Sequence, residues 1–195
     1  QLSERLKNKV ESPLFISACP AWVKYAEQFL PGLIPQLSTV KSPQQITGSI
    51  IKTLVAGQIG AKAEQIYSVS ATPCMAMKFE ARRDGMTRKG ISDVDSVLTV
   101  RELARLIRLY GIDITNIEHE PADEPMAGRS SSAVLAEVAG GLAEGIVRSL
   151  HFQKLRKDAD KQVFKKIRAT GNFRETTVHI DDTEIKVAVV DGLTG

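Results

Sequence analysis

The sequence has few cysteines, few aromatic residues and no long apolar run, and each shortage excludes a class of protein. Two cysteines among 195 residues cannot form a disulfide framework for a domain of this size, so we expect a reducing compartment. The cytoplasm is the expected location, and the periplasm is the alternative. No apolar run approaches the roughly 20 residues of a membrane-spanning helix, so no membrane partner is expected. Aromatic residues make up 5% of the chain and the net charge is +3, which does not indicate a nucleic-acid-binding protein.

Strand and helix patterns alternate along the chain. Short apolar runs predict strands at 13–17, 66–70 and 96–98. Helices are predicted to begin at Pro20 and Ser42, between the first two strands, and at Thr99, after the third. Ser42 with Gln45, and Thr99 with Glu102, have the spacing of capping boxes. The alternation predicts an α/β fold with largely parallel strand pairing.

The C-terminal third predicts a second lobe. A loop over 121–132, rich in Pro, Gly and Ser, predicts a boundary between lobes 1–124 and 125–195, each with a small parallel or mixed sheet flanked by helices. A helix is predicted over 132–150 and a hairpin over 176–190. Gly140-Gly141 falls inside the predicted helix, where glycine is unfavourable. We expect that another backbone packs too closely there to leave room for a side chain.

The two cysteines occupy similar places in this pattern. Cys19 and Cys74 each follow a predicted strand, stand beside a proline and precede a helix or turn. Ligands in open α/β sheets bind at the carboxyl ends of strands, and the partial positive charge at a helix N-terminus favours a thiolate. From the residues alone, two interpretations stay open: a metal site, or two cysteines that only pack in the interior.

The residues around the cysteines resemble the signatures of iron-only hydrogenases. ISACPAWV at 16–23, with KSPQQ at 41–45, resembles TSCCPxW followed by KSPQQ, and TPCMAMKFE at 72–80 resembles MPCxxKKxE. DVDSVLTVREL at 93–103 resembles the stretch DVDxVLTxREL, and Gly140-Gly141 with Glu144 and Arg148 resembles the helix GGVMEAALR. The four motifs occur in the family's order over nearly the whole chain.

The resemblance implies a cofactor and a set of site residues. In this family four cysteines hold a four-iron cluster, and one of them bridges to a two-iron centre that makes or splits dihydrogen. By resemblance, Cys19 and Cys74 are the first two ligands, and the cluster lies in a cleft between the two lobes. The residues expected to contact the cofactor are Ser42, Gln44 and Met77, and those expected to take part in catalysis are Ser38, Lys78 and Glu80. The implied partners are dihydrogen, protons and a ferredoxin-like electron carrier, or an upstream ferredoxin-like domain.

The family's third signature, MACxGGC, supplies the other two cysteines and does not occur in this sequence. Since the chain also starts at Gln1 without a methionine, we expect a piece of a longer protein that binds no stable four-iron cluster alone.

Four departures from the family pattern leave the activity open. Ala18 stands in place of the proton-delivering cysteine, Met77 in place of a cluster-contacting lysine, Thr72 in place of a methionine, and Ala136-Glu137 in place of Phe-Gly. The sensory branch of these hydrogenases and the related cytosolic iron–sulfur assembly proteins also have alanine at the first position. Three hypotheses follow: a slow or sensory hydrogenase, a non-catalytic cluster-binding protein for signalling or cluster assembly, and a cluster-free α/β domain.

Basic residues gather in two places. Both groups are interpreted as solvated surfaces, with a docking surface for an acidic electron carrier as the alternative. The groups are Arg82, Arg83, Arg88 and Lys89, and Lys154, Arg156, Lys157, Lys161, Lys165, Lys166 and Arg168.

Overall fold

The structure is a computed structural model that describes residues 1–121, 123, 134–135, 138–158, 160, 164–168 and 171–192. The chain divides into two compact units, Gln1–Pro125 and Met126–Gly195. Most of the predicted loop over 121–132 lies outside the described residues, and a functional cleft between two lobes stays a prediction. None of the described helices combines the length and the hydropathy of a bilayer-spanning segment.

Six α-helices lie in the described part of the first unit. They are α1 (Leu2–Lys7), α2 (Pro20–Phe29), α3 (Pro43–Ile50), α4 (Ala56–Gln58), α5 (Ala76–Ala81) and α6 (Val100–Leu109). Three of them, α2, α3 and α6, begin at a proline or a capping residue. Proline occupies the first turn of α2 and α3. A π-helical turn, Ile51–Val55, joins α3 to α4. The predicted capping box of α6 is confirmed, since Thr99 Oγ1 accepts a hydrogen bond from Glu102 N at 3.3 Å and Glu102 Oε2 accepts one from Thr99 N at 2.8 Å.

The strands of the first unit form two small sheets. β1 (Val69–Thr72) pairs in parallel with β4 (Ser96–Thr99), and β2 (Thr87–Arg88) pairs antiparallel with β3 (Ile91–Ser92). The strand predicted at 66–70 thus begins three residues later and ends directly before Pro73-Cys74.

The strand predicted over 13–17 is wrong. Phe15 forms a single parallel bridge with Leu37, in which its N–H donates to Gln36 O at 2.9 Å and its carbonyl accepts from Ser38 N at 2.8 Å. Pro13 has no N–H with which to extend the ladder, so the apolar composition of the segment does not make it a strand.

The longest elements in the described part of the second unit are a helix and a hairpin. α7 (Gly141–Leu155) is followed by a 3-10 turn (Lys165–Arg168) and by the antiparallel strands β5 (Phe173–Ile180) and β6 (Thr183–Val190). The predicted hairpin is confirmed and is longer than expected. The buried core residues of this unit are Val147, Leu150, Phe164, Ile167, Val178, Ile180 and Ile185. One parallel and two antiparallel strand pairs, flanked by helices, give the described part of the chain a mixed α/β fold.

Gly140 marks the start of α7 and not its middle. Gly140 has a left-handed φ of +78° and is the N-cap of α7. Val134 and Leu135 are also helical, so the single helix predicted over 132–150 is wrong: the chain leaves the helical conformation at 138–140 and α7 begins at Gly141. A Cβ atom on Gly140 would overlap the carbonyl oxygen of Ile167. The expected close approach of another backbone is therefore present, and a side chain is excluded there for two independent reasons.

Candidate functional site

Cys19 is exposed and caps the N-terminus of α2. Its backbone is extended, with φ −94° and ψ 107°, and its carbonyl accepts the first helical hydrogen bond, from Val23 N at 3.3 Å. The N–H of Cys19 donates to Ser17 Oγ at 3.0 Å. The thiol is free, and the chain turns from an extended segment into a helix at the cysteine itself.

Cys74 is half-buried and lies one residue before Met75, the N-cap of α5. Its N–H donates to Thr72 Oγ1 at 3.2 Å, and its carbonyl accepts from Met77 N at 3.2 Å as the chain enters α5. This thiol is also free. A hydroxyl two residues before each cysteine therefore accepts the hydrogen bond of the cysteine N–H. Sequence reasoning missed this role of Ser17 and Thr72, although serine and threonine are the residues that make such turns.

The helices that follow the two cysteines pack side by side. Lys24 Nζ lies 4.4 Å from the centre of the Phe79 ring, and each of these residues is the fifth after a cysteine. Farther along, Arg83 forms an ion pair with Glu27. Glu27 is the eighth residue after Cys19, and Arg83 is the ninth after Cys74, just beyond the end of α5. Because the two contacts follow the same order along both segments, α2 and α5 run in the same direction and their N-termini lie at the same end. This arrangement places both cysteines at one end of the helix pair.

Ser42 and Glu80 join α3 to α5. Ser42 Oγ donates to Glu80 Oε2 at 2.7 Å, and both residues are buried. The predicted capping box of α3 is half correct, since Ser42 Oγ accepts from Gln45 N at 3.4 Å but the Gln45 side chain does not return to the cap. Gln45 is fully buried, and its amide has no hydrogen-bond partner among the described residues.

Gln44 connects α3 to both sides of Cys74. Its Oε1 accepts from Ser70 Oγ at 2.8 Å, and its Nε2 donates to Met77 O at 3.4 Å. Ser70 lies on β1 before the cysteine and half-buried Met77 lies on α5 after it. The structure thus brings Ser42, Gln44, Met77 and Glu80 together around the segment that carries Cys74.

Lys78 and Ser38 are engaged elsewhere. Lys78 Nζ forms an ion pair with Glu102 Oε2 at 2.6 Å. The hydrogen bond from Lys78, together with those from Thr99, lowers the pKa of Glu102 from 4.5 to about 2. Ser38 Oγ donates to Gln1 Oε1 at 2.7 Å and accepts from Val40 N at 3.3 Å. No hydrogen bond among the described residues links either side chain to a cysteine.

Two further lysine–aspartate pairs hold α3 in place, and the sequence did not predict them. Lys41 Nζ lies 2.5 Å from Asp93 Oδ2, and Lys52 Nζ lies 2.6 Å from Asp95 Oδ2. Asp95 Oδ2 also accepts from Ser68 N at 2.7 Å. Burial raises the pKa of Asp95, but the hydrogen bonds from Lys52 and Ser68 outweigh burial and hold it below its ordinary value. The two aspartates of the DVD motif therefore bind lysines on either side of α3, and Asp95 also binds Ser68, the residue before β1.

The departure at Ala136-Glu137 lies outside the described residues. Ala18, by contrast, is half-buried directly before Cys19 and offers only a methyl group.

Two free thiols at one end of a packed helix pair define a protein that can hold a thiolate-bound metal group. Within the described residues, no group of three or more His, Cys, Asp or Glu side chains forms a metal site. The donor set fits an iron–sulfur cluster, for which cysteine thiolates are the ordinary ligands, and supplies two of the four that such a cluster takes.

Comparison with known proteins gives the family. The model of the iron only hydrogenase large subunit, C-terminal domain, matches residues 1–195, and the chain belongs to this family. It is 38% identical over 191 residues to the periplasmic Fe hydrogenase large subunit of Nitratidesulfovibrio vulgaris, covering 97% of this chain and 45% of that protein. It is 34% identical over 194 residues to Protein NAR1 of Arabidopsis thaliana, covering 92% and 41%.

A solved structure has the same fold. A variant of apo FeFe-hydrogenase HydA1 from Chlamydomonas reinhardtii matches with a TM-score of 0.71 and 28% identity, over 90% of this chain and 45% of that one. The chain thus spans less than half the length of these relatives. The predicted family and α/β fold are confirmed.

Proposed function

We propose that this chain supplies the first two thiolate ligands, Cys19 and Cys74, of a four-iron cluster in an iron-only hydrogenase family protein. The observation that carries the proposal is the parallel packing of α2 and α5, which places two free cysteines at the same end of the helix pair. Helix N-termini stabilise negative charge, and a thiolate-ligated cluster is anionic.

The neighbouring residues hold the cysteine segments in position. Gln44 binds Ser70 and Met77 on either side of Cys74, and the Ser42–Glu80 hydrogen bond joins α3 to the helix that follows. These contacts reduce the freedom of the Cys74 segment before any ligand binds, which is the usual contribution of a protein to a metal site. The bound cluster supplies electron storage and transfer.

The complete protein, in this proposal, couples electrons from a ferredoxin-like carrier or domain to the interconversion of protons and dihydrogen at a two-iron centre attached to the cluster. The hydrogenase relatives and the family support this activity. We place the protein in the cytoplasm, because both cysteines are free and suit a reducing compartment.

A second function, non-catalytic cluster binding for sensing or cluster assembly, is favoured by Ala18. A methyl group cannot carry a proton, and the next expected relay group, the Ser38 hydroxyl, is hydrogen-bonded to Gln1 and Val40. In the family motif a cluster-contacting lysine stands where this chain has Met77. The next residue, Lys78, forms an ion pair with Glu102, which favours a role for Lys78 other than contact with the cluster. The similarity to proteins named cytosolic Fe-S cluster assembly factor NAR1, such as that of Scheffersomyces stipitis, supports this second function.

Iron and acid-labile sulfide analysis tests the cluster proposal. The complete protein, purified without oxygen, is expected to hold a four-iron cluster with the paramagnetic resonance spectrum of that cluster when reduced. The 195-residue chain alone supplies two of four thiolates and is expected to hold no stable four-iron cluster. A complete protein without a cluster, or a full cluster on the isolated chain, contradicts the proposal.

Ala18→Cys in the complete, fully loaded protein separates the two functions. If the protein is a hydrogenase that lacks its proton donor, the variant evolves dihydrogen from a reduced mediator about 10²–10⁴-fold faster than the wild type, as expected for a restored acid. Ala21→Cys, at an exposed position on α2, is the matched control and leaves the rate unchanged. An inert Ala18→Cys variant with a full cofactor excludes catalysis and supports the non-catalytic function.

A further inference from the structure

Both cysteine N–H groups are already hydrogen-bonded within their own turns. Ser17 Oγ accepts from Cys19 N at 3.0 Å, and Thr72 Oγ1 accepts from Cys74 N at 3.2 Å. The two turns lie in different segments, one before α2 and one after β1, yet the hydroxyl stands two residues before the cysteine in each.

The backbone N–H of a ligand cysteine lies close to its own sulfur and to the cluster that the sulfur binds. Hydrogen bonds to the sulfurs of an iron–sulfur cluster tune its reduction potential, because they stabilise the more negative, reduced state. An N–H that already donates to a side-chain hydroxyl is withheld from this interaction.

We propose that Ser17 and Thr72 are positioning residues that fix the backbone at Cys19 and Cys74 and keep both N–H groups from the cluster, which lowers its reduction potential. The inference rests on the proposed function, since it concerns the cluster that these cysteines hold. At Cys74 the acceptor is a departure from the motif that the sequence resembles, which has methionine where Thr72 stands, and methionine offers no hydroxyl.

The test is a redox titration of the cluster in the complete protein, followed by paramagnetic resonance. Thr72→Val keeps the shape of the side chain and removes the acceptor, so it frees the Cys74 N–H. We expect the potential to rise, with the ratio of reduced to oxidised cluster at a fixed potential increasing several-fold; a tenfold increase corresponds to ~59 mV for one electron. Ser17→Ala is expected to act in the same direction at Cys19.

Two controls separate this role from general stabilisation. Thr72→Ser retains a hydroxyl and is expected to have the wild-type potential. Thr53→Val removes a hydroxyl that donates to Ser49 O at 2.7 Å in the first unit, and it is also expected to leave the potential unchanged. Wild-type potentials in both Thr72→Val and Ser17→Ala overturn the inference while leaving the cluster proposal intact.

Amide hydrogen exchange covers the case in which Thr72→Val does not load a cluster. In the cluster-free complete protein, the Cys74 amide is expected to exchange faster in Thr72→Val than in the wild type, and at the wild-type rate in Thr72→Ser. Equal exchange in all three proteins overturns the inference. A wild-type protein that holds no cluster overturns the proposed function and the inference with it.

Discussion

Gly48 is the point at which α3 comes closest to the DVD segment, and replacing it with alanine tests that packing. A Cβ atom on Gly48 would lie 2.7 Å from Val94 Cγ2 and 2.8 Å from the carbonyl carbon of Asp93, with the carbonyl oxygen closer still. Ordinary carbon–carbon contacts are about 3.5–4.0 Å, so α3 and the Asp93 backbone must separate by roughly 1 Å. Such a shift also stretches the nearby pairs Lys41–Asp93 and Lys52–Asp95.

Whether Gly48→Ala raises or lowers the free energy of unfolding shows which of two effects is larger, the helix propensity of alanine or the crowding of its Cβ atom. In an unobstructed helix, glycine to alanine stabilises by about 1 kcal/mol, whereas overpacking a buried site costs about 1–3 kcal/mol or more. We therefore expect Gly48→Ala to lower the free energy of unfolding by about 2 kcal/mol. Gly57→Ala is the matched control, because Gly57 lies in α4 and a Cβ atom there meets nothing within 4 Å. It is expected to stabilise by up to about 1 kcal/mol.

Denaturant unfolding followed by the fluorescence of Trp22, the single tryptophan, reports on the unit that contains both glycines. The free energies of unfolding of the two variants are expected to differ by about 3 kcal/mol. In thermal unfolding, this difference corresponds to roughly 6–12 °C in the melting temperature. Equal stabilisation by the two substitutions would refute the close approach of α3 to Asp93.

Two further predictions concern carboxylates. Because the Lys78 hydrogen bond lowers the pKa of Glu102 from 4.5 to about 2, the charge of Glu102 stabilises the fold above about pH 4.5, and this contribution is lost as the pH falls toward 2. The free energies of unfolding of the wild type and Glu102→Gln, measured in urea, should therefore differ at pH 6 and become equal near pH 2. The control Glu64→Gln, at an exposed position, should unfold like the wild type at pH 6. A difference between the wild type and Glu102→Gln that persists at pH 2 contradicts the assignment. In the second unit, fully buried Glu144 pairs with Arg148 at 2.9 Å and with Arg168. Glu144→Gln should destabilise by about 3–5 kcal/mol in thermal unfolding followed by circular dichroism. Exposed Glu184→Gln is its control, and an equally small effect of both variants would refute a structural role for this ion pair.

Local signals in the sequence predicted the parts of the fold that local contacts determine. The capping box of Thr99 and Glu102, the proline at the start of α2 and the hairpin predicted over 176–190 all depend on residues that are close together in the sequence. The same logic failed at 13–17, because a strand requires a partner along its length and Phe15 has one only at Leu37. It also missed the break before α7, because the left-handed φ of Gly140 and its close approach to the backbone of Ile167 leave no signal in the neighbouring residues.

The sequence predicts which residues of the candidate site would be ligands, but not the contacts that hold the surrounding segments in position. Motif resemblance predicts Cys19 and Cys74 as ligands, whereas the pairing of Lys52 with Asp95 joins residues 43 apart in the sequence and follows from packing alone. The expectation that Gln45 caps α3 was reasonable from spacing, yet burial of its side chain overrides the local preference. Lys78 was expected to take part in catalysis because of its place in the motif, and its ion pair with Glu102, 24 residues away in the sequence, could not be predicted from local patterns.

The most direct test of the cluster assignment is iron analysis of the complete protein with each cysteine replaced in turn. Cys19→Ala and Cys74→Ala are each expected to lose the four-iron cluster and its reduced-state resonance spectrum, while Ser38→Ala, which removes a hydroxyl and no ligand, retains both. Full iron content and an unchanged spectrum in either cysteine variant would contradict the assignment of Cys19 and Cys74 as ligands.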